Sequence, residues 1–147
     1  MQQKREIAVV DDRKVAAPRL TLHHVGVLAR DFENARNAYL QLGATVSEPV
    51  TISSQGVRVC FVDMHGMVAI ELVEAIGNSV MRDLLKRGIT YYHLGYMVPD
   101  FDAAVGTLEA MDYVRLEVFR SEAFEGRRCA FLMSPVLHLI EIIEQSS

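Results

Sequence analysis

The chain has 147 residues, of which 50% are hydrophobic and 23% are charged, and this composition is typical of one globular domain. Lysine and arginine total 15 against 19 acidic residues, and this net charge of −4 without a basic stripe argues against nucleic-acid binding. The 2 cysteines exclude a disulfide scaffold and favour a reducing compartment. No apolar run approaches the ~20 residues that span a bilayer, so we expect a cytoplasmic protein without a membrane partner.

Residues 1–18 predict a flexible leader that precedes a single domain. Charged residues from Asp11 onward interrupt its apolar run, so the segment lacks the apolar core of a secretory signal, and Pro18 marks its end. We expect residues 19–147 to form one domain of two modules, at about 19–76 and 90–145, joined by a short helix.

The sequence contains an internal repeat. Three blocks match in the same order: HVGVLARDFENA at 24–35 with HLGYMVPDFDAA at 93–104, QGVRVCFV at 55–62 with EGRRCAFL at 125–132, and IELVE at 70–74 with IEIIE at 140–144. The repeat brings His24 into register with His93 and Gly26 into register with Gly95. A tandem arrangement of two similar modules follows from it.

Each half of the chain predicts the element order β-α-β-β-β. Strand-like runs lie at 20–29, 44–51, 56–64 and 67–75, and again at 91–98, 113–121, 126–133 and 136–144. Helices are expected at 32–42, 80–87 and 101–111, capped by Asp31, Ser79 and Asp100. The predicted fold class is α+β, with two tandem βαβββ modules forming a curved sheet around a central cleft.

Two carboxylates interrupt strands that otherwise indicate complete burial. Glu71 lies within Val-Ala-Ile-Glu-Leu-Val, and Glu141 lies within Leu-Ile-Glu-Ile-Ile. An unpaired charge at such a position costs several kcal/mol or forces the group to neutralise. For either residue alone, a salt bridge or an edge-strand position facing water would explain the pattern. Their occurrence at equivalent positions of the repeat calls for a shared explanation.

His24 and His93 supply that explanation, because they also occupy equivalent positions in strands that flank the predicted cleft. Two neutral imidazoles and two carboxylates that converge on one point form a site for a divalent metal ion. Mixed nitrogen and oxygen ligands favour Zn, Ni, Co, Fe or Mn over Ca. His23 is expected on the opposite face of its strand by the period of two, and His138 on the opposite face from Glu141, so neither is a predicted ligand.

With these motifs, about residues 20–145 resemble the vicinal oxygen chelate superfamily, which includes glyoxalase I and methylmalonyl-CoA epimerase. Segments similar to the epimerases include LHHVGVLARDFENARNAYLQLGA, VRVCFV and LLKRGITYYHLGYMVPDFDAAV. The resemblance implies the same four metal ligands, namely His24, Glu71, His93 and Glu141. The sequence departs from the epimerase pattern in the hairpin before the last strand, which is short here. The resemblance assigns no second acid/base residue.

The resemblance implies a metal-dependent isomerase or epimerase that removes a proton alpha to a carbonyl, with Glu141 as the catalytic base. Its substrate would be a small molecule with chelating oxygens, a class that includes acyl-CoA thioesters, and the family implies a homodimer. The alternatives are a glyoxalase I-like lyase and a non-catalytic protein that binds an antibiotic-type small molecule. A ring-cleaving dioxygenase would use two His and one Glu, and the fourth ligand at Glu71 argues against it.

Overall fold

A computed structural model describes residues 17–66 and 68–146, so the predicted leader falls almost wholly outside the described residues. The strands are β1 (Thr21–Leu28), β2 (Thr45–Val46), β3 (Val50–Ile52), β4 (Val57–Asp63), β5 (Ala69–Ala75), β6 (Tyr91–Val98), β7 (Val114–Ser121), β8 (Arg127–Met133) and β9 (Leu139–Glu144). The helices are α1 (Phe32–Gln41), α2 (Ser79–Lys86) and α3 (Phe101–Ala110). Among the described residues, no helix is long and apolar enough to cross a membrane.

The described strands form one mixed sheet, whose order is β2-β4-β5-β1-β6-β9-β8-β7, with β3 paired to β4. The first strands of the two modules, β1 and β6, pair antiparallel at the centre of the sheet. Each also pairs in parallel with the last strand of its own module, β1 with β5 and β6 with β9. The prediction of an α+β fold built from two tandem modules is confirmed, and the four strands that carry the predicted ligands are neighbours.

The second strand of the first module differs from the prediction. The run 44–51 is not one strand but two short ones, β2 and β3, both paired antiparallel to β4. Pro49 lies between them and has no N–H to donate to a ladder, which explains the interruption. The last strand is also shorter than predicted, because residues 134–138 form a turn before β9.

The caps of the helices agree with the repeat. Asp31 accepts a hydrogen bond from the Asn34 N–H, and Asp100 accepts one from the Ala103 N–H, each at 3.0 Å. The linker helix α2 differs from the prediction, because its cap is Asn78, which accepts from the Met81 N–H at 3.1 Å. Ser79 is instead its first helical residue.

The same contact attaches the helix of each module to the sheet. The Arg58 guanidinium lies 4.6 Å from the centroid of the Phe32 ring at the start of α1, and it pairs with Glu74 of β5 at 3.1 Å. In the second module Arg128 pairs with Glu144 of β9 at 2.9 Å in the same way. The repeated glutamates at the strand ends are therefore ion-pair partners that hold each helix against the sheet.

Candidate metal centre

Strand pairing brings the four predicted ligands to the centre of the sheet. In the register of the sheet, Gly26 of β1 lies between Glu71 of β5 and His93 of β6. By the same pairing, Gly95 of β6 lies between His24 of β1 and Glu141 of β9. The pseudo-twofold relation between the modules therefore places one His and one Glu from each module around the β1–β6 pair.

The side chains of these residues meet at short distances. The Nε2 atoms of His24 and His93 lie 2.8 Å apart. Glu71 Oε2 is 3.8 Å from His24 Nε2, and Glu71 Oε1 is 3.6 Å from His93 Nε2. Glu141 Oε1 is 3.3 Å from His24 Nε2 and 3.7 Å from His93 Nε2.

Burial makes this group electrostatically unusual. Relative exposure is 0% for His24, 1% for His93 and 4% for each glutamate. Burial raises the pKa of Glu71 and of Glu141 to about 8, and it lowers the pKa of both imidazoles. Without a cation both carboxyls are therefore mostly protonated at neutral pH. The neutral imidazoles present nitrogen lone pairs, which is the form that binds metals.

The donor set fits a divalent cation. Protein nitrogen and oxygen ligands lie about 2.0–2.2 Å from such an ion, so two ligands of one ion are at most about 4.4 Å apart. The four distances from the carboxylate oxygens to the imidazole nitrogens, and the distance between the two nitrogens, all fall below this limit. Glu141 Oε1 is also buried without a hydrogen-bond partner among the described residues, as expected of an atom that awaits a ligand.

The two glutamates approach the imidazoles to similar distances. Ligand atoms of His24, Glu71 and His93 all lie within 4.8 Å of one another. Glu141 Oε1, at 3.3 and 3.7 Å from the two Nε2 atoms, meets the same limit with the histidines. The two glutamates are therefore placed alike towards the imidazoles, in keeping with their equivalence in the repeat.

Two glycines make room for the imidazoles. A Cβ atom on Gly26 would overlap the ring of His93, and a Cβ atom on Gly95 would overlap the ring of His24. Neither glycine has a positive φ, so the backbone does not require glycine at either position. The His-x-Gly match of the repeat is thus a packing requirement of the site, in which each module leaves space for the histidine of the other.

His23 does not lie on the opposite face from His24, contrary to the prediction. Its ring is half-buried, and its Nδ1 atom lies 2.9 Å from Nδ1 of His24. The cause is an irregularity in the β1–β6 register between Leu22 and His24, where His23 is an extra residue without a partner. Such a bulge interrupts the alternation of faces and re-aims the side chain. The alternation of side chains along a strand, on which the prediction was based, gives no indication of a bulge at this position.

Tyr92, which precedes His93, is the equivalent extra residue of β6. Its ring packs edge-on against the imidazole of His93 with the centroids 4.7 Å apart. Phe131 contacts the same imidazole at 5.3 Å. The two bulges therefore give each histidine of the site an aromatic neighbour from its own strand.

A cavity of about 10 Å³ borders Glu71, His93 and Glu141, and its other lining residues include Gln55, Tyr92 and Phe131. This volume is roughly that of one water-sized sphere. The space beside these three side chains thus suits a single ion or water molecule, and a substrate must approach it from outside.

A family model described as glyoxalase/bleomycin resistance protein/dioxygenase superfamily matches residues 23–131. A mitochondrial methylmalonyl-CoA epimerase from Bos taurus is 36% identical over 92 residues, which are 60% of this chain and 52% of that protein. The chain spans about half the length of this curated relative.

Solved structures of epimerases share the fold. The methylmalonyl-CoA epimerase from Mycobacterium tuberculosis is similar with a TM-score of 0.78 and 25% identity, over 90% of this chain and 93% of that one. A variant of the Streptomyces coelicolor enzyme in complex with 2-nitronate-propionyl-CoA gives a TM-score of 0.75 at 21% identity, over 88% of this chain and 97% of that one.

Proposed function

The chain belongs to the glyoxalase/bleomycin resistance protein/dioxygenase superfamily, and we propose that it is a divalent-metal-dependent epimerase or isomerase that removes a proton alpha to a carbonyl. The observation that carries this proposal is the convergence of two neutral imidazoles and two buried carboxyls at distances of 2.8–3.8 Å. The epimerase relatives in sequence and in structure support the same class of reaction.

In this proposal His24, His93, Glu71 and Glu141 hold the ion. A divalent ion held there supplies Lewis acidity, which lowers the pKa of a proton alpha to a chelating carbonyl. Zn, Ni, Co, Mn and Fe all suit the nitrogen and oxygen donors. The buried carboxyls balance the charge of the ion, and the aromatic neighbours of the histidines fix the orientation of the rings.

Glu141 is the proposed catalytic base. Its Oε1 atom faces both imidazoles and is buried without a hydrogen-bond partner among the described residues. A carboxylate beside the proposed ion is placed to take a proton from carbon and to return it. We therefore assign to Glu141, besides its place among the four ligands, the transfer of the alpha proton through Oε1.

The proposed substrate carries two oxygens that can chelate the ion, as methylmalonyl thioesters do. The Streptomyces coelicolor structure contains 2-nitronate-propionyl-CoA, and this ligand of a protein with the same fold supports an acyl thioester as the proposed substrate. A homodimer and a cytoplasmic location remain predictions from the family resemblance and the sequence.

Solvent deuterium exchange tests the proposal. Metal-free protein is loaded separately with Co, Ni, Mn, Zn or Fe, and incorporation of deuterium at the alpha carbon of methylmalonyl-CoA is followed by mass spectrometry. Exchange should require the metal, and Glu141→Gln should lower it by at least about 100-fold, in keeping with the loss of a general base.

Glu144→Gln is the matched control, because Glu144 lies on the same strand but pairs with Arg128 outside the site. This variant should exchange at the wild-type rate. Absence of exchange with every metal would refute the epimerase proposal for this substrate. Exchange that is equally fast in Glu141→Gln would refute the assignment of the base.

A further inference from the structure

A second cavity, of about 690 Å³, lies beside the site between α2, β7 and the turn before β9. It shares Gln55, Tyr92 and Phe131 with the small cavity that borders Glu71, His93 and Glu141, so the two spaces adjoin. Its volume lies within the range of about 300–1,000 Å³ that is usual for small-molecule pockets. A substrate could therefore reach the site from this pocket.

The lining of this pocket is mainly apolar, and its polar side chains, apart from two tyrosines, are those of Gln55, Asn78, Glu117 and His138. Val80 and Leu84 contribute from α2, Leu116 from β7 and Leu137 from the turn. Glu117 is the carboxylate of the lining, and neither lysine nor arginine occurs among the described residues that form it. Arg82 and Lys86 of the same helix instead border a separate cavity of about 520 Å³. The pocket thus lacks the cations that a phosphate-bearing group would require.

Leu137 carries a further indication of function. It stands at the tip of the turn with φ +63° and with 79% of its surface exposed. A bulky apolar residue in the left-handed region is strained, and such strain is concentrated at functional positions. The turn is closed by hydrogen bonds from the Leu137 N–H to the Ser134 carbonyl and from the Ser134 N–H to the His138 carbonyl, each at 2.9 Å, and it holds the Leu137 side chain against the pocket.

Gln55 supplies a polar group at the junction of the two cavities. Its backbone carbonyl accepts a hydrogen bond from the Asn78 side chain at 3.2 Å, which ties it to the linker helix. Its side-chain amide nitrogen is buried without a hydrogen-bond partner among the described residues. An oxygen of a substrate that enters from the pocket would satisfy this donor.

We infer that this pocket binds an uncharged apolar substituent of the substrate, while Gln55 donates a hydrogen bond to one of its oxygens. The inference deepens the proposed function and rests on it, since it specifies which alpha substituent the enzyme prefers. A chelating substrate with a longer alkyl or an aryl group on the alpha carbon fits the pocket better than one with a methyl group.

The probes are 2-methylmalonyl and 2-hexylmalonyl thioesters of N-acetylcysteamine, compared by metal-dependent deuterium exchange. The wild-type protein should show kcat/KM at least about tenfold higher for the hexyl compound, because each buried methylene favours binding. Leu137→Asn should bring this ratio close to one. Asn tolerates the left-handed backbone, so this variant is expected to fold.

Val136→Asn is the matched control, because Val136 is 71% exposed in the same turn but does not line the pocket. It should keep the wild-type ratio. Gln55→Leu should raise KM for both thioesters and leave their ratio unchanged. Equal kcat/KM for the two probes in the wild-type protein would overturn the inference.

Calorimetry with the free diacids separates this inference from the proposed function. If neither thioester exchanges but 2-hexylmalonate binds more tightly than 2-methylmalonate, the epimerase proposal fails, whereas the inference that the pocket binds an apolar substituent is supported. If the diacids bind equally, the pocket inference fails. If Leu137→Asn changes the oligomeric state in sedimentation without changing the chain-length preference, the surface around Leu137 is an interface between copies of the chain. That result would also overturn the inference.

An independent observation concerns His23, and we propose that it positions His24. The two Nδ1 atoms lie 2.9 Å apart, so one ring donates its N–H to the other. If His24 Nδ1 is the donor, its Nε2 lone pair faces His93 and the carboxyls. Such outer partners fix the tautomer and the orientation of a ligating imidazole. His93 Nδ1 has no partner among the described residues, so only His24 has this support.

His23→Phe keeps the ring volume between Phe61 and Phe124 but removes the acceptor. This variant should weaken Co²⁺ binding by about 10–100-fold, and the ¹⁵N spectrum of His24 should report a mixture of tautomers. His23→Asn places an acceptor near the lost nitrogen and should restore most of the affinity. Wild-type affinity in His23→Phe, or an unchanged tautomer of His24, would overturn the proposal.

Discussion

The substitution Gly26→Ala adds one methyl group to the centre of the sheet without altering any proposed ligand. Its Cβ atom would overlap Cε1, Nδ1 and Nε2 of His93. Because the φ of Gly26 is not positive, the alanine backbone itself is allowed, and the conflict is entirely with the imidazole. The variant therefore tests whether the glycine of the repeat exists to admit a metal-binding ring.

The surroundings of His93 determine the magnitude. The residue is 1% exposed, and Tyr92 and Phe131 pack edge-on against its ring at 4.7 and 5.3 Å. The ring cannot move aside without displacing these neighbours, so the free energy of unfolding should fall by about 1–3 kcal/mol, as in other overpacked cores. Displacement of a ligand should also weaken divalent-metal binding by more than the roughly 10–100-fold that loss of an outer partner causes.

The assay combines urea unfolding of the metal-free protein with a Co²⁺ titration followed by absorbance. Gly106→Ala is the matched control, because an added Cβ on this glycine of α3 meets nothing within 4 Å. Replacing a helical glycine there should raise the free energy of unfolding by about 0.5–1 kcal/mol and leave Co²⁺ affinity unchanged.

A double-mutant cycle completes the test. In a His93→Ala background the new methyl group has room, so the cost of Gly26→Ala should nearly disappear, giving a coupling of about 1–3 kcal/mol. Gly26→Ala protein that binds Co²⁺ like Gly106→Ala would refute the reasoning. A cost that persists in the absence of the imidazole would refute it as well.

Three further predictions follow from the same structure. In the folded metal-free chain the pKa values of Glu71 and Glu141 are raised from 4.5 to about 8. Between pH 4.5 and about 8, the folded chain therefore binds more protons than the unfolded chain. The free energy of unfolding should therefore fall as the pH rises, by up to about 3 kcal/mol between pH ~6.5 and ~8. Urea unfolding in the presence of EDTA measures this loss. A bound divalent ion should abolish it. A rise in stability over this range without metal would contradict the pKa shifts. Asp31→Ala and Asp100→Ala should each cost about 1 kcal/mol in thermal unfolding, since each removes a cap, with no effect on Co²⁺ affinity. Met81→Ala should cost about 2–5 kcal/mol, because Met81 is 2% exposed and packs α2 into the core; a cost below about 1 kcal/mol would contradict this packing.

The repeat made much of the molecule predictable. In each half of the repeat, a glutamate lies among aliphatic residues and a histidine lies in the first strand. This pattern predicted that His24, His93, Glu71 and Glu141 meet, and the structure brings their side chains together. The order of helices and strands followed from periodicity and, for α1 and α3, from the aspartate caps, except that the run 44–51 is divided into β2 and β3. These features are accessible because they depend on local pattern and on the symmetry of the chain.

The features that the sequence did not reveal depend on interactions between strands. The bulges at His23 and Tyr92 insert one residue into a ladder, and no local pattern distinguishes that residue from its neighbours. The role of Gly26 becomes visible only when the ring of His93 from the other module is in place. The pocket beside the site depends on how α2 and the turn at Leu137 approach β7, which is a matter of tertiary packing.

The most direct test of the metal centre is an anomalous difference map from crystals of the Co²⁺-loaded protein, recorded at the cobalt edge. We expect one strong peak within about 2.0–2.2 Å of Nε2 of both His24 and His93, bordered by oxygens of Glu71 and Glu141. A saturated protein whose cobalt lies elsewhere, or crystals without a peak between the two imidazoles, would contradict it.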